Sequence, residues 1–141
     1  MRLNNNCLRD ILLYLESCDY YILNENNDVE SNGIWFEKIC KENAQYSKPE
    51  IYYSLSNLEQ AGFINMSKSS FSNSLDCCVN FITFQGHEFL NQIKDDKNWS
   101  KIQHCLKALR NYSLDAIQSV ASGIASAAIQ SYTSSISSKN V

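Results

Sequence analysis

The chain has 141 residues, enough for one domain with a real core or a small domain plus an assembly element. Its 12 Lys and Arg stand against 15 Asp and Glu, a net charge of −3, so the chain as a whole is not a basic nucleic-acid binder and any DNA contact must come from a local patch. One Pro and four Gly argue against a collagen-like or linker-rich chain, and 44% hydrophobic residues is ordinary for a globular protein.

The first six residues lead into an amphipathic pattern and not a continuous apolar run, which argues against a signal peptide. No stretch reaches the roughly 18 consecutive apolar residues of a membrane helix. The expectation is a cytoplasmic chain without membrane contact. Its six Cys residues are then expected as reduced thiols, not a disulfide framework.

Leu8, Ile11, Leu12 and Leu15 recur at helical spacing opposite Arg9, Asp10 and Glu16, which predicts a first helix over residues 5–17. Residues 20–23 form a short apolar run that fits a strand or an extension of that helix. Residues 24–33 are acidic, rich in Asn and aperiodic, the pattern of a surface loop. Residues 34–40 predict a short second helix that buries Trp35 or Phe36 with Ile39 and Cys40 and ends near Asn43.

Ser47-Lys48-Pro49-Glu50 is a helix start. Ser47 can cap the free amides, Pro49 suits the first turn, and Glu50 completes a capping box. The third helix runs to about Gln60, with Ile51, Leu55 and Leu58 inward, Ser54 at the edge, and Gly62 as its stop. Residues 63–66 read as a strand and residues 67–76 as a flexible arm. Residues 77–82 read as the returning strand, with Val79 and Phe81 on one face and Asn80 and Ile82 on the other.

Thr83 is placed to cap the next helix, whose apolar positions are Phe89, Leu90 and Ile93. After Asp95, Asp96 and Asn98, the residues Trp99, Ile102, Leu106 and Leu109 set a further helix. Leu114, Ile117, Ala121, Ile124 and Ala128 keep a heptad-like seam through a last helix to about Thr133, followed by a Ser-rich tail. The order of amphipathic third helix, strand, polar arm and returning strand is what a winged helix-turn-helix needs. The expected fold is therefore α+β, mainly α: a winged helix-turn-helix over residues 1–96, a C-terminal helical extension over 97–133 suited to dimerisation, and a flexible tail over 134–141.

Two blocks carry a family resemblance. Glu50-Ile51-Tyr52-Tyr53-Ser54-Leu55-Ser56-Asn57-Leu58-Glu59-Gln60-Ala61-Gly62-Phe63-Ile64 resembles the helix-to-strand core of an uncharacterised winged-helix family common in prophages of Gram-positive bacteria, the domain of unknown function 2513. Thr83, Gly86-His87-Glu88-Phe89-Leu90, Asp95-Asp96 and Trp99 are similar to that family's signature. The resemblance covers most of residues 48–109. It implies the fold and a mobile-element setting, and it implies no catalytic residues.

Groups suited to chemistry are sparse. His87 and His104 are the only histidines, and no Cys or His pair has the spacing of a zinc knuckle, since Cys77-Cys78 and His104-Cys105 are adjacent. His87-Glu88 at a helix start fits the helix dipole better than acid–base work. Asp95-Asp96 fits capping better than a cation site. With no phosphate-cradling Gly loop and no nucleophile motif, no enzyme activity, cofactor or metal is expected.

If Ile51, Leu55 and Leu58 face inward, Tyr53, Ser56, Asn57 and Gln60 face outward. Asn57 and Gln60 could read adenine edges while Tyr53 and Ser56 reach phosphates, helped by Lys48 at the helix start and Lys68 in the arm. Two lysines flanked by Glu50 and Glu59 would give weak, salt-sensitive binding unless a dimer doubles the contacts. An alternative basic face comprises Lys97, Lys101, His104 and Lys107, opposite Trp99, Ile102, Leu106 and Leu109. The last helix has no charged residue from 116 to 138, and Ile117, Val120, Ala121, Ile124 and Ala128 form a seam for a second copy or for its own domain. The leading expectation is a mobile-element DNA-binding transcriptional regulator that forms a homodimer. The rival is a phage-encoded module that binds and inhibits a host or defence protein, favoured by the net negative charge and the acidic loop at Asp28 and Glu30.

Overall fold

The computed structural model describes residues 1–139 and is α+β, mainly helical. The chain divides into two units, Met1–Leu90 and Asn91 onward.

In the first unit, α1 (Asn5–Glu16) starts on Asn4, whose side-chain oxygen accepts the N–H groups of Asn6 and Cys7. It buries Leu8, Ile11, Leu12 and Leu15, the stripe its periodicity predicts. β1 (Tyr21–Leu23) then pairs antiparallel with β2 (Val29–Ser31). Residues 20–23 are thus a strand start, and the expected loop 24–33 contains the second strand of a hairpin. Its turn is tied by Asn24, whose side chain accepts N–H groups from Asn26 and Asp28, with Asn27 at φ 64°. Every residue of both strands is exposed, so no burial pattern could mark them in the sequence.

The expected second helix begins late. Ile34 and Trp35 form β3, pairing with Val79 and Cys78, and α2 spans Phe36–Glu42. A Cβ at Gly33 would come 2.3 Å from the Cys78 Sγ, so glycine lets the chain run this close to its neighbour. Ile39 and Cys40 are buried as expected, Phe36 is half-buried edge-on against Tyr52 at 5.3 Å, and Trp35 faces water.

α3 (Lys48–Gln60) carries the predicted capping box: the Ser47 Oγ accepts the Glu50 N–H at 3.3 Å, and the Ser47 N–H donates to Glu50 Oε2 at 3.1 Å. Ile51, Leu55 and Leu58 are fully buried. Ser54, expected at the edge, is buried with them, its hydroxyl beside the Cys7 thiol. The helix stops at Gly62 (φ 79°), where Gly62 N–H bonds Glu59 O and Phe63 N–H bonds Leu58 O, a Schellman closure.

β4 (Ile64–Phe71) and β5 (Ser74–Ile82) pair antiparallel along their length, giving a sheet of order β3-β5-β4. The arm expected to be flexible over 67–76 is therefore the outer part of a regular hairpin. Its two-residue turn, Ser72-Asn73, has both residues at positive φ, the twist that suits a tight hairpin. The alternation expected in 77–82 is also broken. Asn65 pairs with Phe81 and Met66 with Val79, leaving Asn80 as a bulge, so Val79 and Ile82 are both buried and Phe81 is half-buried.

α4 (Phe84–Ile93) starts as predicted on Thr83, whose Oγ1 accepts the Gly86 N–H at 3.0 Å and donates to Gly62 O at 2.6 Å. A Cβ on Gly86 would lie 2.0 Å from Phe63 O, so this helix docks only through glycine. Phe89 stacks on Phe63 at 4.6 Å.

In the second unit, α5 (Asp96–Leu109) begins before Asn98 because the Asp95 carboxylate caps it, accepting the Lys97 N–H at 3.0 Å. Trp99, Ile102 and Leu106 are buried, but Leu109 is 65% exposed, next to Arg110 in the left-handed conformation that ends the helix. α6 (Leu114–Lys139) starts with Ser113 Oγ accepting the Ala116 N–H. It continues past the expected end at Thr133, so residues 134–139 are helical, and residues 140 and 141 of the expected tail lie outside the described residues.

Candidate functional site

The outward side of α3 carries the four expected reading residues, with Tyr53 and Gln60 exposed and Ser56 and Asn57 half-buried. Two groups needed for nucleic-acid contact are engaged within the protein. The Asn57 side-chain amide donates to Tyr53 O at 2.8 Å. The Lys68 ammonium pairs with Glu59 at 2.7 Å, and this bond and charge push the lysine pKa above its usual value. Lys48 is exposed at the helix start.

Charge is unevenly divided along the chain. Met1–Leu90 holds six basic and twelve acidic side chains, a net of −6, whereas the chain from Asn91 onward holds six basic and three acidic. The surface around α3 therefore sits in a negative field, with Glu50 and Glu59 on α3 itself, Glu37 on α2 and Asp76 on β5.

Beside α3 lies an apolar cleft. A cavity of about 410 Å³ opens among Phe36, Lys48, Pro49, Tyr52, Tyr53 and Leu75, with Met1 and Ser56 at its wall. A second depression of about 780 Å³ shares Phe36, Lys48 and Leu75 with it and extends to Trp35 and Phe71, with Glu37 and Asp76 among its lining. Trp35 is 57% exposed, Phe71 84% and Leu75 59%, so three large apolar side chains face water around one cleft. Their positions follow from the backbone. Trp35 is outward on β3 opposite buried Ile34, and Phe71 and Leu75 flank the Ser72-Asn73 turn. Sequence reasoning assigned Trp35 or Phe36 to the core and passed over the other two. The available signal was a pair of large apolar residues set in an otherwise serine-rich arm.

On α5 the four residues Lys97, Lys101, His104 and Lys107 are all exposed, opposite buried Trp99, Ile102 and Leu106. They form one positive face. On α6 the seam is divided. Ile117 and Ala121 are fully buried in the unit that α6 forms with α5, Val120 and Ile124 are half-buried, and Ala128 is exposed. Ile129, Tyr132 and Ile136 are exposed beyond it.

Four of the six thiols, Cys7, Cys40, Cys77 and Cys78, are buried in the packing. Burial pushes the Cys7, Cys40 and Cys78 thiols up from their ordinary value and Cys77 to about 12, away from the thiolate form a nucleophile or metal ligand needs. His87 and Glu88 are exposed on α4. Among the described residues no group of three His, Cys, Asp or Glu is placed to hold a metal ion, and no helix is long and apolar enough to cross a membrane.

Comparison with known proteins adds kinship without a function. An uncharacterised protein of Haemophilus influenzae (strain ATCC 51907 / DSM 11121 / KW20 / Rd) is 32% identical over 82 residues, which span 57% of this chain and 70% of that protein. No solved structure matches. The family described as "Hypothetical protein (DUF2513)" matches residues 2–112, taking in all of the first unit but Met1, together with α5, and leaving α6 outside the match. The chain belongs to this family, the domain of unknown function 2513.

Proposed function

We propose that residues 1–90 form a winged helix whose α3–hairpin cleft binds a protein segment. The supporting observation is the exposure of Trp35, Phe71 and Leu75 around that cleft, in a unit of net charge −6. Exposed aromatic and aliphatic residues around a concavity supply the anchor pockets of protein interfaces, and a negative field repels phosphates. Lys48 at the cleft wall gives the bound segment one point of attraction for a carboxylate. In the mobile-element setting that the family resemblance implies, such a module acts as an inhibitor of a host or defence protein.

With the β1–β2 hairpin as an insertion after α1, the remaining order of helix, strand β3, two helices and hairpin also supports a second reading, a DNA-binding regulator that uses Tyr53, Ser56, Asn57 and Gln60 with Lys48 and Lys68. With Lys68 paired to Glu59, that surface offers only Lys48 as an uncommitted charge, and duplex binding would be weak and steeply salt-dependent. Pairing of two copies through α6 would double it.

One experiment separates the two. Nuclease-treated host lysate is passed over the full chain and over a Trp35→Ser, Phe71→Ser, Leu75→Ser variant, while duplex DNA is titrated at two salt concentrations. The protein reading expects a stoichiometric partner that the triple variant loses, with duplex binding weak and unaffected by that variant. Salt-dependent duplex binding abolished by Lys48→Glu with Lys68→Glu, and no partner that distinguishes the triple variant, would replace it with the regulator reading.

A further inference from the structure

β5 is flanked unequally on its two sides. β4 pairs with it along its length, whereas β3 covers only Val79 and Cys78 on the other side. Trp35 is the last residue of β3, and the chain then leaves the sheet into α2. Among the described residues no strand pairs with β5 on that side between Ser74 and Cys77. In an antiparallel ladder successive residues turn their N–H and C=O groups to opposite sides. The tight turn makes Phe71 and Ser74 an exchanging pair and Ser69 and Asp76 the next, so Leu75 and Cys77 turn theirs to the uncovered side. The Cys77 N–H is taken by the Asp76 Oδ1 at 2.9 Å, and Cys77 is fully buried. Leu75 is exposed, and it presents one N–H and one C=O at an open edge.

That edge borders the depression of about 780 Å³, whose lining runs from Trp35 and Phe36 at the end of β3 to Ser74, Leu75 and Asp76 on β5. The depression therefore lies where β3 would continue. We infer that the segment bound at the α3–hairpin cleft is an extended strand that takes this place, antiparallel to β5, with its central residue exchanging two backbone hydrogen bonds with Leu75. Open strand-edge groups are matched by another extended chain and not by a helix, whose own backbone groups are already used. Pairing also fixes where the side chains go. The residue opposite Leu75 shares the face on which Cys77 and Val79 are buried, and so enters the cavity beside Pro49, Tyr52 and Tyr53. That position takes a large apolar side chain. Its two neighbours fall on the other face, with Trp35 and Phe71. The −6 charge of the unit favours a neutral or basic segment. The inference rests on the protein-binding reading of the cleft and names the form of its ligand.

The test selects from a random peptide library on the full chain, keeping sequences that the Trp35→Ser, Phe71→Ser, Leu75→Ser variant does not hold. Each retained peptide is then N-methylated one residue at a time. A strand expects one apolar residue whose N-methylation weakens binding at least about tenfold, while either neighbour tolerates it within about twofold. Amide exchange of the chain gives a second readout. Without peptide the Leu75 N–H should exchange at least about tenfold faster than the Asp76 N–H, and peptide should protect it by a similar factor. Leu75→Pro removes the edge donor and leaves the β4 ladder its bonds, so it should bind at least about tenfold more weakly than Leu75→Ala, with both folds checked by circular dichroism. If the Pro variant does not fold, N-methylation and exchange decide. Peptides that depend on the three apolar residues yet ignore N-methylation, or a Leu75 amide already protected in the free chain, would overturn the strand and leave the cleft reading standing. A selection with no peptide that distinguishes the triple variant would overturn both.

Discussion

The two helices proposed to carry binding surfaces, α3 and α6, are held in place in opposite ways. α3 has 13 residues, a capping box at its start, a Schellman closure at its end, and three fully buried aliphatics between them. α6 is twice as long at 26 residues, yet among its described side chains only Ile117 and Ala121 are fully buried, and every residue from 126 to 137 is exposed. Packing therefore fixes α3, whereas the second half of α6 depends on intrinsic propensity and on whatever covers it. Helical segments of about 12 residues are marginal in water without tertiary contacts. The comparison shows that a helix's length in a fold says little about how firmly it is anchored.

The largest test of that contrast is a pair of substitutions. Leu55→Ala removes a fully buried side chain of α3 and should cost about 2–5 kcal/mol in urea unfolding. Ile129→Ala on α6 should cost no more than about 0.5 kcal/mol in a monomer. A larger effect of Ile129→Ala that grows with protein concentration would mean that α6 is covered by a second copy, and light scattering would then show dissociation in the variant. Equal effects on both helices at all concentrations would break the comparison outright.

Gly86→Ala comes next. The new methyl would meet Phe63 O at 2.0 Å and the Ile82 Cγ2 at 2.7 Å, and a backbone carbonyl cannot swing aside as a flexible side chain can. A loss of about 3 kcal/mol is expected, at the upper end of overpacking costs, read as a fall in the thermal midpoint. Gly123→Ala on α6 is the control. Nothing lies within 4 Å of its added Cβ, so removing a helical glycine should raise stability by up to about 1 kcal/mol.

These positions also show what the amino-acid order makes legible. α1, α3, the cap at Thr83 and the stop at Gly62 were readable because each depends on contacts within a few residues and on one buried face. The late start of α2 was not, since Ile34 and Trp35 become a strand only by pairing with Val79 and Cys78, 45 and 43 positions away. The outer part of β4 and β5 was hidden because both its faces are wet, and the Asn80 bulge because a single extra residue inverts an alternation that otherwise looks regular. The candidate cleft was the least legible part. Tyr53, Ser56 and Lys48 could be placed from helical geometry, but the pairing of Lys68 with Glu59 joins a strand to a helix, and the exposure of Trp35 follows from which face of β3 the sheet buries.

The smallest effects lie at the start of α3, where the contrast with α6 can be sharpened. Ser47→Ala removes the hydroxyl that accepts the Glu50 N–H and should cost about 1 kcal/mol. Glu50→Gln tests the other half of the box through pH. The Ser47 N–H, then the Asn4 amide at 3.3 Å, hold the Glu50 pKa below its ordinary 4.5. A folded-state value below the unfolded one means this stabilisation is fully present above pH 4.5 and is lost as pH falls through the folded value. The stability gap between the native chain and Glu50→Gln should therefore be open at pH 7 and close in acid, measured as urea midpoints across that range. Asn4 also caps α1 through Asn6 and Cys7, so protonating Glu50 frees the residue that starts one helix while weakening the start of another. A gap that persists unchanged into acid would mean that the carboxylate serves α3 only by its shape, and that the tie between the two helix starts contributes nothing.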